Sequence, residues 1–320
     1  MNILITGGAG FIGSHLCDAL LSDNKNHVTV IDNLSLGKVG NIEHLINNNR
    51  FVFIHDDIFN EKGLSELFET SKFEIVFHLA ANSDIAISHS RPDTDLNSTF
   101  LTTYKVLEMM RTHGVKKIVF ASTSAIYGNP YGQKLSENFG PLLPVSHYGA
   151  CKLASEAIIS SFGENYGIQA WIVRFPNVVG ERATHGAIFD FINKANANPV
   201  FLEVLGDGEQ NKPYVYVKDL VDAILFIQSN TENRINLYNV GVDSRTKVKE
   251  IARIVLEETG LSREIRFTGG STGWVGDVPE FEYDLDKIHK LGWRAKYSST
   301  EAVQEAVRQI VLTSKISANL

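Results

Sequence analysis

What most limits the fold of this 320-residue chain is a repeated alternation of two patterns. Ile3 to Ile5, Val28 to Ile31, Phe51 to Ile54, Ile75 to Phe77 and Ile118 to Phe120 are short runs rich in β-branched or aromatic residues. They are nearly continuous in apolar character rather than alternating, as strands covered on both faces must be. Between them lie segments with helical spacing of apolar residues, such as SHLCDALLSD and NSTFLTTYKVLEMMRTHG, the second ending at Gly114 in a helix-capping position. Strand, helix, strand, repeated, predicts a parallel sheet with right-handed crossovers and helices on both faces. AWIVRF, 170 to 175, is expected to close the sheet as a sixth strand.

The rhythm changes after about residue 177. NVVGERATHG reads as loop, GDGEQNKPYVYVKD as a turn feeding a short strand, and helices are expected near 218–229, 246–259 and along SSTEAVQEAVRQIVL. This predicts a sheet domain over 1–176 and a smaller mixed region over 177–320, with some chain crossing back to the sheet. A composition of 43% hydrophobic and 21% charged residues suits a full core, and the net charge of -7 argues against a nucleic-acid surface. Two cysteines, Cys17 and Cys151, cannot build a disulfide framework or a tetrahedral zinc site, so no metal is expected. The opening MNILIT runs straight into a strand, without a basic leader or a bilayer-length apolar run. A cytoplasmic protein with no membrane attachment is expected.

TGGAGFIG, residues 6 to 13, follows the first strand and opens a helix. Gly7, Gly10 and Gly13 permit a tight turn, close backbone approach to a pyrophosphate, and close helix–strand packing. The backbone N–H groups of the helix start, around Phe11 and Ile12, add free donors and the positive dipole end. The second strand ends in Asp32, about 20 residues on, where a carboxylate accepts hydrogen bonds from both hydroxyls of an adenosine ribose and repels a 2′-phosphate. This predicts NAD rather than NADP. Asp57 and Ile58 follow the third strand, where Asp57 can reach the adenine amino group. HLAA follows the fourth; small Ala80 and Ala81, after Leu79, let a cofactor lie against backbone.

HYGACK, 147 to 152, places Tyr148 and Lys152 one turn apart on a helix. Alone, that spacing usually marks a solvated face. Taken in order, however, TGGAGFIG, Asp32-Asn33-Leu34, HLAA, STSAIYG, YGACK and RFPNVVG resemble the extended short-chain dehydrogenase/reductase family, specifically its nucleotide-sugar epimerases and dehydratases, over essentially the whole chain. The resemblance implies an α/β fold: a Rossmann-type doubly wound parallel sheet with a smaller mixed α/β C-terminal substrate region. It implies that Tyr148 is the catalytic tyrosine, Lys152 its partner and a ligand of the nicotinamide ribose, and Thr123 the hydroxyl bonding the same sugar oxygen. A free phenol titrates near 10, and a nearby ammonium with a positive nicotinamide ring would favour phenolate. The resemblance adds Asn33, Ser35 and Gly37 to the adenosine end, Asn97 near the nicotinamide ribose, and Pro176 as a backbone contact to the nicotinamide amide. Asn177 is implied for the pyrophosphate of the sugar nucleotide; Lys212 and Trp274 stand at substrate positions where the family carries arginine, and Arg182 and His185 are candidates for the donors so lost. The helix over 97–113 and the one bearing Tyr148 resemble a pair that forms a homodimer interface.

Departures narrow the expectation. Where the dehydratase branch carries an acid and a base, this chain has Ser124 and Ala125, which cannot move protons in that role at neutral pH. Lys212 stands where the family's arginine grips the diphosphate, keeping charge but losing the bidentate fork. Trp274 stands where an arginine often precedes Gly276-Asp277. The leading expectation is an NAD-dependent enzyme that oxidises C4 of a nucleotide-diphosphate sugar and returns the hydride to the other face, a 4-epimerase. Two alternatives stay open: a net 4-dehydrogenase, acting for example on a GDP-heptose and needing a second oxidant, and a catalytically silent NAD-binding module.

Overall fold

The computed structural model describes residues 1–83, 90–130, 132–270 and 278–318. They form two compact units. The first comprises 1–126, 146–174 and 224–238; the second comprises 127–145, 175–223 and 239–320.

The first unit is built on a seven-stranded sheet. Its strands are β1 (Asn2–Thr6), β2 (His27–Asp32), β3 (Phe51–His55), β4 (Ile75–His78), β5 (Lys117–Thr123), β7 (Gln169–Phe175) and β12 (Ile235–Asn239), in the order β12-β7-β5-β4-β1-β2-β3. The pairs β1–β2, β1–β4, β2–β3 and β4–β5 are all parallel. Helices α1 (Phe11–Leu21), α2 (Glu61–Ser71) and α4 (His147–Tyr166) supply covering layers. So does α3, a composite of an α turn (Asp93–Asp95), a π-helical stretch (Leu96–Leu101) and an α-helix (Thr102–Thr112). Leu4, Ile31, Val76, Val106, Phe120, Ile159 and Ile172 meet in one buried cluster, which is why those strands had to be apolar on both faces.

The chain builds outward from β1 to β3, then jumps back to place β4 on the other side of β1. The carboxyl ends of β1 and β4 therefore bound a topological switch point, the place where open α/β sheets bind ligands. The register Thr6↔His78 brings the glycine turn and the HLAA segment together there.

One expectation fails. AWIVRF does not close the sheet, because β12 lies outside it. INLYN alternates partly buried and buried positions and is half polar, as suits an edge strand, so it lacks the continuous apolar run that marks its neighbours.

The second unit is made of short pairings. β8 (Asn177–Val179) pairs with β11 (Tyr214–Tyr216), β9 (Phe201–Val204) with β14 (Glu264–Phe267), and β6 (Lys134–Leu135) with β15 (Glu282–Tyr283), all parallel; β10 (Asn211–Lys212) pairs antiparallel with β13 (Thr246–Lys247). Helices α5 (Ala187–Ala197), α7 (Val248–Thr259) and α9 (Ser299–Ala318) pack against one another or these strands. Helix α6 (Val217–Asn230) begins in this unit and ends in the first. Among the described residues no helix is long and apolar enough to cross a membrane.

Candidate active site

The glycine turn has the geometry its sequence implies. Gly7 takes a φ of 73°, and a Cβ there would sit 2.8 Å from the Ala80 nitrogen. A Cβ on Gly13 would lie 2.3 Å from the Gly7 carbonyl oxygen, so α1 can approach β1 only with glycine at that position. Gly10 differs: a Cβ would meet only the Gly7 oxygen, at 3.1 Å, and otherwise open space. Gly10 is also the N-cap of α1, with no side-chain cap and no acidic residue in the first turn. The N–H groups of Phe11 and Ile12 thus begin a helix whose first donors lack intrahelical partners.

Asp32 ends β2 beside this turn. Its carboxylate accepts from the Ala9 N–H at 3.0 Å and the Leu34 N–H at 2.8 Å. Burial pushes its pKa up, against those two hydrogen bonds. Each oxygen keeps a lone pair for a hydroxyl. Gly37 is needed here, since a Cβ would lie 2.9 Å from both Asp32 oxygens. Asn33 donates to Asp57 Oδ2 at 2.7 Å and accepts from the Ser35 N–H at 3.0 Å, so these residues hold one another as well as the sheet edge. Ile58 is buried in the core cluster. A dinucleotide fits this set: a glycine cradle that a Cβ would fill, unshielded helix donors for a pyrophosphate, and a fixed carboxylate for a ribose.

Along the other side of the switch point, Leu79 donates its N–H to the Thr6 carbonyl at 3.1 Å and Ala80 to the Thr6 hydroxyl at 3.2 Å. His78 is fully buried between two hydroxyls, Thr6 Oγ1 at 2.7 Å from Nδ1 and Thr103 Oγ1 at 3.1 Å from Nε2. Thr103 donates onward to the Thr99 carbonyl, so a neutral ring with its proton on Nε2 satisfies every partner. Burial, with Lys152 nearby, lowers its pKa to about 3.

Thr123, Tyr148 and Lys152 come together as predicted. Thr123 ends β5, is buried, and shares a hydrogen bond with Tyr148. The Ser146 side chain caps α4 by accepting from the Gly149 N–H at 3.1 Å, which places Tyr148 in the first turn and Lys152 one turn further. Lys152 is 2% exposed; its Nζ donates to the Ala121 carbonyl at 2.7 Å, and lies 4.7 Å from the Phe120 ring centroid and 5.9 Å from that of Tyr148. Burial dominates both titrations. It pushes Tyr148 up to about 12 despite the Thr123 hydrogen bond, and Lys152 down to about 7 despite Glu156 and Asp95. In the chain without a cofactor, desolvation of the phenolate thus outweighs the lowering that the phenol receives from Thr123.

Asn97 is exposed, and its side chain donates to the Asp93 carbonyl at 2.9 Å. Thr99 faces inward instead, with its hydroxyl accepting from the Asn82 N–H at 3.2 Å. Sequence reasoning also missed Asn82, Asp95, Ser122 and Glu156. Asn82 donates to Asp95 Oδ1 at 2.9 Å. Glu156 is clamped by Arg174, through Nε at 3.0 and 3.2 Å and a terminal nitrogen at 2.6 Å, and also accepts from Ser122. Glu156 had a visible signal, because Tyr148, Lys152 and Glu156 repeat at four-residue spacing on one helix face.

In the second unit, Pro176 is buried beside Gly241 and Asn177 is exposed at the start of β8. Arg182 adopts a φ of 68°. Lys212 is buried in β10, opposite Thr246. Gln210, two residues earlier, is buried, and neither of its side-chain polar atoms has a hydrogen-bond partner among the described residues. Trp274, with Gly276 and Asp277, lies outside the described residues.

The chain matches the model of the NAD dependent epimerase/dehydratase family over residues 3–241. It belongs to that family. A protein of Methanocaldococcus jannaschii, provisionally named UDP-glucose 4-epimerase, is 36% identical over 312 residues, spanning 95% of this chain and 97% of its own. The Thermotoga maritima UDP-glucose 4-epimerase solved with UDP-glucose is 34% identical with a TM-score of 0.87, over 98% of this chain and 100% of that one. The Bacillus cereus UDP-glucuronic acid 4-epimerase solved with its sugar nucleotide and NAD is 29% identical with a TM-score of 0.88, again over 98% and 100%. This family member is an extended short-chain dehydrogenase/reductase with NAD as cofactor.

Proposed function

We propose that the chain is a UDP-sugar 4-epimerase. The observation that carries the reading is the Thr123–Tyr148 hydrogen bond at the end of β5, with the Lys152 side chain buried beside it. This is a hydroxyl pair set to hold one sugar oxygen, with a cation at hand. The relatives solved with UDP-glucose and UDP-glucuronic acid support the nucleotide and the C4 position. Ser124 and Ala125, next to Thr123, offer no acid–base pair for eliminating water, which disfavours dehydration.

In this mechanism Thr123 Oγ1 and the Tyr148 phenol oxygen fix the sugar O4. When bound, NAD supplies the hydride acceptor for C4 and a positive charge that favours the Tyr148 phenolate. Tyr148 takes the O4 proton as C4 is oxidised and returns it as C4 is reduced from the opposite face of the turned 4-keto sugar. Proton and hydride both come back, so the reaction is an isomerisation. Lys152 brings its amino group to 5.9 Å from the Tyr148 ring centroid, and its Ala121 contact fixes where that group sits. The first unit serves NAD through Gly7, Gly10, Gly13 and Asp32, and the second serves the UDP-sugar through Asn177, Arg182, Lys212 and Trp274. The exposed Leu96 and Tyr104 on α3 support a homodimer through that helix and α4.

The test is to incubate the purified protein with UDP-glucose, UDP-galactose, UDP-glucuronic acid and UDP-arabinose. Both C4 epimers should appear by NMR with no net change near 340 nm. Stoichiometric NADH accumulation, relieved by an added oxidant, would instead establish a net dehydrogenase.

A further inference from the structure

Asp95 is a buried carboxylate that the mechanism above does not use. It is 0% exposed. Its Oδ1 accepts from Asn82, which follows β4 at the switch point, while its Oδ2 is buried with no hydrogen-bond partner among the described residues. No arginine or lysine forms an ion pair with it among those residues. Leaving a carboxylate oxygen buried and unmet is costly, so a charge that faces it should matter. The turn that carries Asp95 packs on α4 and leads directly into the π-helical stretch Leu96–Leu101. Such π insertions recur at functional sites. That packing sets Asp95 against the helix that carries Tyr148, Cys151 and Lys152, and its charge raises the titration of each.

We propose that Asp95 is a positioning residue that holds the buried Lys152 side chain in its ammonium form beside Tyr148. The proposal rests on the reading of Tyr148 and Lys152 as the reacting pair. The titratable groups around Lys152 among the described residues are Tyr148, Cys151 and Glu156 on its own helix, Asp95 from α3, His78 on β4, and Arg174 on β7. Burial drives the ammonium toward its neutral form; Glu156 opposes this first and Asp95 second. Glu156, however, is neutralised by Arg174. Asp95 is the carboxylate whose charge is left over for Lys152, and neither His78 nor Cys151 supplies a negative charge to replace it at neutral pH.

The test reads Lys152 directly. Lysine-selective 13C labelling and NMR titration of the cofactor-free protein would follow its Cε resonance, assigned by its loss in Lys152→Arg. Asp95→Asn keeps the Asn82 hydrogen bond and removes only the charge. It should lower the Lys152 titration by about one pH unit. Asp95→Ser should do the same, and Asp95→Glu should restore most of the wild-type value. A Lys152 titration unchanged in Asp95→Asn and Asp95→Ser overturns the proposal, as does an equal shift in Asp95→Glu, which would mark a purely steric role. The titration needs no substrate. Inactivity of the wild type toward every UDP-sugar would therefore overturn the functional reading while leaving the Asp95 result legible.

Discussion

Arg174→Met should be among the most damaging single changes in the first unit, although it lies away from the glycine turn and the tyrosine. Arg174 is 3% exposed and Glu156 6%, and three hydrogen bonds join them. Without the guanidinium, the Glu156 carboxylate keeps only Ser122 as a side-chain donor in this cluster. Removing one partner of a buried pair costs about 3–5 kcal/mol, because the remaining charge stays desolvated. At about 2 °C per kcal/mol for a chain of this size, the fall in Tm is ~6–10 °C. The double variant Arg174→Met/Glu156→Leu removes both charges and should lose at least ~2 kcal/mol less than the single one. Thermal unfolding followed by circular dichroism, with NAD either stripped or saturating in every sample, measures both, since ligand binding shifts Tm by mass action. A loss below about 1 kcal/mol in Arg174→Met, or strictly additive losses in the double variant, would refute the idea that this pair matters through uncompensated charge.

Further predictions concern the cofactor, the tyrosine and pH. Gly10→Ala should leave Tm nearly unchanged yet weaken NAD binding at least tenfold by calorimetry, whereas Gly13→Ala, whose Cβ would lie 2.3 Å from the Gly7 oxygen, should destabilise the fold itself. Tyr148→Phe should lower kcat about 10²–10⁴-fold while the protein retains the same NAD content by released-nucleotide chromatography. His78 titrates at about 3 when folded against 6.5 in an exposed chain, so the unfolded state binds the extra proton between those values. Stability should therefore fall as pH drops through that window, by up to ~1.4 kcal/mol per unit from this residue, and His78→Gln should show a shallower acid limb in urea unfolding.

Strands β1, β2, β4 and β5 were legible because they are buried on both faces, while the edge strand β3, with Val52 exposed, showed itself only through its run of apolar residue types. β12 was not, since INLYN mixes asparagines with apolar residues. The glycine turn and Asp32 were legible because backbone conformation and close approach restrict those positions to few residue types. Tyr148, Lys152 and Thr123 were legible through their motif, although the titration of Tyr148 depends on desolvation that no spacing reveals. The bond from Asn97 to the Asp93 carbonyl and the burial of Thr99 two residues on depend on how the helix is wound, which the polar run itself does not display. Nothing in the DTD stretch separates Asp95 from Asp93. The burial of Asp95 is a tertiary fact, set by Asn82 and the packing of the turn on α4.

The outer place in the sheet, taken by β12, has a consequence for synthesis. The ribosome releases β7 well before β12, and the intervening chain belongs mostly to the other unit. At about 5–20 residues per second, the nascent sheet waits several seconds with the hydrogen-bonding edge of β7 bare. A bare, flat, apolar edge is a template for pairing with any other chain. Fragments ending near residue 200 should therefore aggregate however well their strands and helices form, and the nascent protein should lean on chaperones most during that interval.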